Sequence, residues 1–114
     1  MRHWVEKTLA VNKLRAASRK RYWLRISDSA SGIKPFDGIL FLSDGRSIAV
    51  EFKVWRLKRP FDYSTVETHQ MKALLEFQGQ DRESWIVVYH ESTEKILTFH
   101  PSKTILKKML RGKK

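Results

Sequence analysis

Ser43-Asp44-Gly45-Arg46 lies between two apolar runs, Phe36 to Leu42 and Ser47 to Val54, and turns the chain back on itself as a β-hairpin. Loop length decides what that hairpin presents. A two-residue Asp44-Gly45 turn sets Asp37 opposite Phe52 and sends Asp37 and Glu51 to opposite faces. A three-residue loop, Ser43-Asp44-Gly45 with Gly45 in the left-handed conformation, sets Asp37 opposite Glu51. Gly45 stands where the longer loop needs a positive φ, so the three-residue loop is predicted. Leu40, Leu42, Ile48, Val50, Phe52 and Val54 then share one apolar face, with Ile39 and Phe41 on the acidic side. A hairpin apolar on both faces belongs in the middle of a sheet covered by helices.

In this register Asp37, Glu51 and Lys53 come together, Lys53 on the face of Glu51 because strand side chains alternate with period two. Carboxylates are the hard oxygen ligands of Mg²⁺ or Mn²⁺, which take one or two from protein and complete the shell with phosphate oxygens and water. Glu51, flanked by Ala49, Val50 and Phe52, is expected to be buried, and a lone buried carboxylate is costly unless paired or metal-bound. Two acids and one cation at one point suit a scissile phosphate. The plainer alternatives are a loop-capping role for Asp37 and a non-catalytic Glu51–Lys53 ion pair.

The 114-residue chain reads as one domain, 1–114, of α/β class. Apolar spacing predicts a helix from residue 3 to about 20, then a strand at Tyr22 to Ile26 and a polar loop from Ser27 to Lys34. After the hairpin come a basic loop from Arg56 to Tyr63 and a helix from about Thr65 to Gln78, with Gly79 as its stop. Strands follow at Trp85 to Tyr89 and, on an edge, Lys95 to Phe99. Ser102 is placed to cap a last basic helix, Lys103 to about Leu110.

Pro35-Phe36-Asp37, Glu51-Phe52-Lys53, and the later Thr68-His69-Gln70 ahead of the Trp85 to Tyr89 strand resemble the PD-(D/E)XK, or restriction-endonuclease-like, nuclease superfamily. Within it they look like the Holliday-junction resolvases of the RecU type, over roughly residues 22 to 90. Phe36 separates the proline from the acid, a variation the family tolerates. The resemblance implies a mixed central sheet flanked by helices and a metal-dependent, structure-selective DNA endonuclease acting as a homodimer. It implies that Asp37, Glu51 and the Phe52 carbonyl ligate Mg²⁺ or Mn²⁺, that Lys53 assists the attacking water, and that Gln70 lies beside the site. Many members carry a glutamate on the first helix, for which Glu6 is the candidate. Other repair, flap or phage nucleases, and a non-catalytic DNA-binding module of the same fold, remain open alternatives.

The net charge of +11 points the same way, since such an excess opposes compaction and is explained by an anionic partner. The basic residues cluster at Lys13 to Arg21, Arg56 to Arg59, and Lys103 to Lys114. Arg19, Lys20, Arg21, Ser31, Lys34, Arg56, Lys58 and Arg59 are the candidate phosphate contacts, and Trp55 is a candidate for stacking on an unpaired base. No base-reading module is recognisable, so DNA shape, such as a branch, is the expected target. No apolar run is long enough to span a bilayer, and the absence of cysteine excludes disulfides and thiolate metal sites. Charge interrupts the first residues, so no signal peptide is expected and the expected location is cytoplasmic or nucleoid-associated.

Overall fold

The computed structural model describes residues 21–26 and 34–111. Among these, five strands form one mixed sheet in the order β1 (Arg21–Arg25), β2 (Gly38–Leu42), β3 (Ser47–Trp55), β4 (Arg82–His90) and β5 (Lys95–Phe99). β1, β2 and β3 are joined antiparallel, β3 and β4 pair in parallel, and β5 returns antiparallel along β4. A parallel pair needs a crossover. It is supplied by α1 (Thr68–Phe77), and α2 (Lys103–Arg111) ends the described chain. The chain is therefore mixed α/β. The helix expected over residues 3 to 20 lies outside the described residues, as do Glu6, Arg19, Lys20 and Ser31.

The hairpin forms with the predicted loop. Leu42 donates its N–H to the Arg46 carbonyl (2.9 Å), leaving Ser43-Asp44-Gly45 as the loop, and Gly45 has φ of 92°. The Asp44 carboxylate fixes this turn locally, accepting the Arg46 N–H at 3.0 Å and its Nε at 2.8 Å.

The two faces of the sheet are filled differently. Leu40, Ile48, Val50, Phe52 and Val87 form one buried cluster, with the Trp23 ring 5.5 Å from Phe52. Ala49 and Trp55 of β3, Ile86 and Val88 of β4, Val66, Met71 and Leu74 around α1, and Met109 of α2 form the other. The odd-numbered face of β3, which carries Glu51 and Lys53, is thus the face beneath α1. Each fully buried branched side chain contributes roughly 1.5–3 kcal/mol before the entropy of ordering it. Phe41 is on the predicted face but exposed, beside the exposed Tyr22.

Three local expectations are corrected. α1 begins at Thr68, because the Asp62 carboxylate captures Ser64 N–H (2.9 Å) and Ser64 Oγ (2.6 Å), building a separate 3₁₀ turn at Tyr63–Thr65. Gly79 is not the helix stop: α1 ends at Phe77 with Gln78 extended, and Gly79 instead exchanges backbone hydrogen bonds with Arg82 across a tight turn. Trp55 is buried, its Nε1 donating to the Arg59 carbonyl at 2.8 Å and its ring edge-on to Phe61, so it offers no platform to a base. Ser102 does cap the last helix, its Oγ accepting the Ile105 N–H at 3.2 Å.

Two glycines are required by the hairpin for different reasons. A Cβ on Gly45 would meet nothing within 4 Å, so only its left-handed φ opposes substitution. A Cβ on Gly38 would lie 2.5 Å from the Leu24 carbonyl oxygen and 2.6 Å from the Trp23 ring, so β1 itself opposes it. Gly45→Ala is expected to cost about 1 kcal/mol in urea denaturation, the usual strain of a left-handed non-glycine residue. Gly38→Ala should cost more, since backbone cannot yield as a flexible side chain does.

Candidate metal centre

The site begins where β2 ends before its partner does. β2 starts at Gly38, opposite Val50, whereas β3 runs on to Trp55. Phe52 points its N–H and C=O toward the side β2 has vacated, because it lies two residues beyond Val50. The Asp37 carboxylate fills this gap, Oδ2 accepting the Phe52 N–H at 2.8 Å. Asp37 reaches it because its backbone is kinked. Its N–H goes to the Val50 carbonyl (3.0 Å) while its own carbonyl accepts from Ile26 on the β1 side (2.9 Å). A regular strand residue points both groups the same way, so the chain twists here as it does at a bulge.

The regular pairing of the hairpin ends at Gly38–Val50, and the kink sets Asp37 beside Glu51, the residue after Val50, close enough for its charge to act on the Glu51 carboxyl. Both acids are buried, each only 3% exposed. Lys53 Nζ lies 3.5 Å from Glu51 Oε2, and Lys34 Nζ lies 2.9 Å from Asp37 Oδ1. Glu51 Oε1 is buried without a hydrogen-bond partner among the described residues. Gln70, in the first turn of α1 and facing the same side of the sheet, has its Oε1 in the same condition. Buried oxygens without partners are rare and call for an explanation such as an ion or water.

Burial pushes the Glu51 carboxyl up to about 7, the nearby Asp37 charge adds to the rise, and Lys53 and Lys34 partly oppose it. Two buried carboxylates raise one another's cost of ionisation, and a dication between them would relieve both. The donors present fit a hard divalent cation: the Asp37 and Glu51 carboxylates, with the Phe52 carbonyl directed to the same edge. Among the described residues no group of three or more His, Cys, Asp or Glu side chains converges, so their share of such a shell is the Asp37–Glu51 pair.

The other predicted residues fall into two sets. Arg56, Lys58 and Arg59 are exposed on the loop that begins at the end of β3, three residues beyond Lys53. That loop is held in place: the Arg59 carbonyl accepts from Trp55 Nε1 and lies 3.1 Å from His90 Nε2, and Arg56 Nε is 3.6 Å from Glu91. Arg21 contributes backbone to β1. His69 is a surface residue beside Glu67, at 3.2 Å. Lys34, named above as a candidate phosphate contact, lies against Asp37. Its spacing of three residues before Asp37 was the available signal.

No protein-family model matches the chain, and no curated protein matches it either. The functional reading is carried by the geometry of these side chains.

The Glu51 shift has a measurable consequence for the metal-free protein. Its folded value of about 7 exceeds the ordinary 4.5, so between these two values the folded state holds a proton that the unfolded chain has released. Stability from this group is therefore present at low pH and lost as pH rises through that window. In EDTA, wild type should lose on the order of 2–3 kcal/mol relative to Glu51→Gln between about pH 5 and pH 8, read by urea denaturation. Parallel pH profiles for the two proteins would contradict the burial argument.

Proposed function

We propose that this chain is a metal-dependent, structure-selective DNA endonuclease of the PD-(D/E)XK kind, most like a Holliday-junction resolvase. The observation that carries the proposal is the meeting of buried Asp37 and Glu51 at the open edge of β3, with Lys53 beside Glu51 and an unpartnered Glu51 oxygen. A buried carboxylate oxygen without a partner is uncommon, and a bound cation is one of the explanations for it. The restriction-endonuclease-like fold belongs to the same proposal. It is supported by the order strand, hairpin, helix and parallel strand, with the acids and lysine on the hairpin.

In this reading Asp37 and Glu51 hold Mg²⁺ or Mn²⁺, joined by the Phe52 carbonyl. The Phe52 N–H fixes Asp37 through Oδ2, so its carboxylate is oriented before any ligand arrives. The bound cation supplies a water of lowered pKa and a Lewis acid for the phosphoryl oxygen. Lys53, partly exposed next to Glu51, would orient the attacking water as an ammonium donor and face the charge that develops on the phosphate. Gln70 offers an uncharged donor and acceptor from the first turn of α1. The exposed Arg56, Lys58 and Arg59 supply phosphate contacts just past the site, on a loop already ordered by Trp55 and His90.

Symmetric resolution of a four-way junction needs two cuts, so a homodimer is part of the proposal. So is a location with the DNA, in the cytoplasm or nucleoid. No described helix is long and apolar enough to cross a membrane.

Incubation with labelled four-way junction, flap, duplex and single-stranded DNA tests the proposal. Cutting is expected with Mg²⁺ or Mn²⁺ and not with EDTA, with the junction preferred. Asp37→Ala and Glu51→Ala should abolish cutting while retaining DNA binding whose affinity falls steeply with salt. Lys53→Ala should cut about 10²–10³-fold more slowly, the range lost when one donor to a developing charge is removed. Cutting undiminished in either acid variant, or persisting in EDTA, would remove the assignment.

A further inference from the structure

We infer that Lys34 is an exchangeable counter-ion, which holds Asp37 when no metal is bound, competes with the divalent cation for the same carboxylate, and is released to a substrate phosphate when the cation binds. The inference rests on the metal-dependent reading above and deepens it by coupling metal binding to nucleic-acid binding through one side chain.

Three observations converge on Lys34. Its Nζ lies 2.9 Å from Asp37 Oδ1, a charge-assisted contact, while Oδ2 is committed to the Phe52 N–H. Oδ1 is thus the oxygen Asp37 would turn to a metal, and an ammonium already sits on it. The electrostatic reach of Lys34 also extends to Glu51, where its charge opposes the rise in carboxyl pKa, so it faces the pair of acids and not one alone. Finally, its side chain is 18% exposed where that of Asp37 is 5%, so the ammonium has a way out of the site that the carboxylate lacks.

The exchange follows from charge. A dication on Oδ1 would stand within a few ångströms of an ammonium on the same oxygen, in surroundings largely without water to screen them. One cation must leave, and the lysine is the one with a four-carbon flexible stem. A phosphodiester held at the metal would offer the displaced ammonium an anion within its reach. Lys34 therefore weakens metal binding in the free protein and strengthens DNA binding once metal is present. Lys53 does not duplicate this role, because it contacts Glu51 from the next position along its own strand face.

The test is Mn²⁺ titration followed by electron paramagnetic resonance, on wild type, Lys34→Gln, Lys34→Met and Lys34→Arg, without DNA. The glutamine variant keeps a hydrogen-bond donor for Oδ1, so it guards against loss of fold in the methionine variant, and thermal melting in EDTA checks both. Lys34→Gln and Lys34→Met should bind Mn²⁺ about tenfold more tightly than wild type, the size of coupling seen between charged groups in contact. Lys34→Arg should stay within about twofold, since the charge is kept. A second measurement uses a short duplex oligonucleotide in Ca²⁺ or EDTA. Ca²⁺ should tighten oligonucleotide binding by wild type, and this tightening should shrink severalfold in Lys34→Gln. Unchanged or weaker Mn²⁺ affinity in both neutral variants overturns the inference while leaving the metal site intact. Mn²⁺ binding that is absent from wild type, or equally strong in Asp37→Ala and Glu51→Ala, overturns the underlying reading as well.

Discussion

A single hydrogen bond, from the Phe52 N–H to Asp37 Oδ2, joins the architecture of the sheet to its chemistry. β3 outlasts β2, and the backbone donor exposed by that mismatch is satisfied by a side chain instead of a strand. The carboxylate is thereby fixed in the plane of the sheet, at the edge where Glu51 arrives from the face. Everything that places Asp37 there is upstream: the three-residue loop that sets the register, the absence of a side chain at Gly38 that lets β1 close in, and the kink that parts the two backbone bonds of Asp37. A slip of one residue would send Glu51 and Lys53 to the opposite face and turn the Phe52 N–H away from Asp37.

Stability and function pull against each other at this point. Ala49, Trp55, Met71 and Leu74 build an apolar environment on the face that carries Glu51, and burying a carboxylate there is unfavourable. Lys53 and Lys34 offset part of the cost, one from each acid. They do not complete it, since one Glu51 oxygen remains without a partner among the described residues. A site that is under-neutralised without metal is one in which a dication binds strongly, and protein groups that partly neutralise it also set how strongly.

The sequence was most informative where the governing interactions are short-range. Gly45, flanked by Ser43-Asp44 and Arg46, announces the loop because positive φ is a local property, and from the loop follow the register and the approach of Asp37 to Glu51. Strand limits matched at Lys95–Phe99, whereas β4 begins at Arg82, three residues before the expected Trp85, because polar residues ahead of the apolar run also pair with β3. Helix limits were less legible. The start of α1 depends on whether the Asp62 side chain takes the backbone of Ser64, a choice between two local options that periodicity does not register. Trp55 reads equally as a surface or core aromatic among basic neighbours, and its burial is decided by Phe61 and the Arg59 carbonyl. Lys34 looks like any basic loop residue in the sequence, and its contact with Asp37 is seen only in the structure.

The most direct test of the central claim is crystallographic: crystals soaked in Mn²⁺, with data collected to show its anomalous scattering. The account predicts a peak between the Asp37 and Glu51 carboxylates and the Phe52 carbonyl, with Glu51 Oε1 among its ligands. A map with no peak there, and with Glu51 Oε1 instead bonded to a protein group, would contradict it.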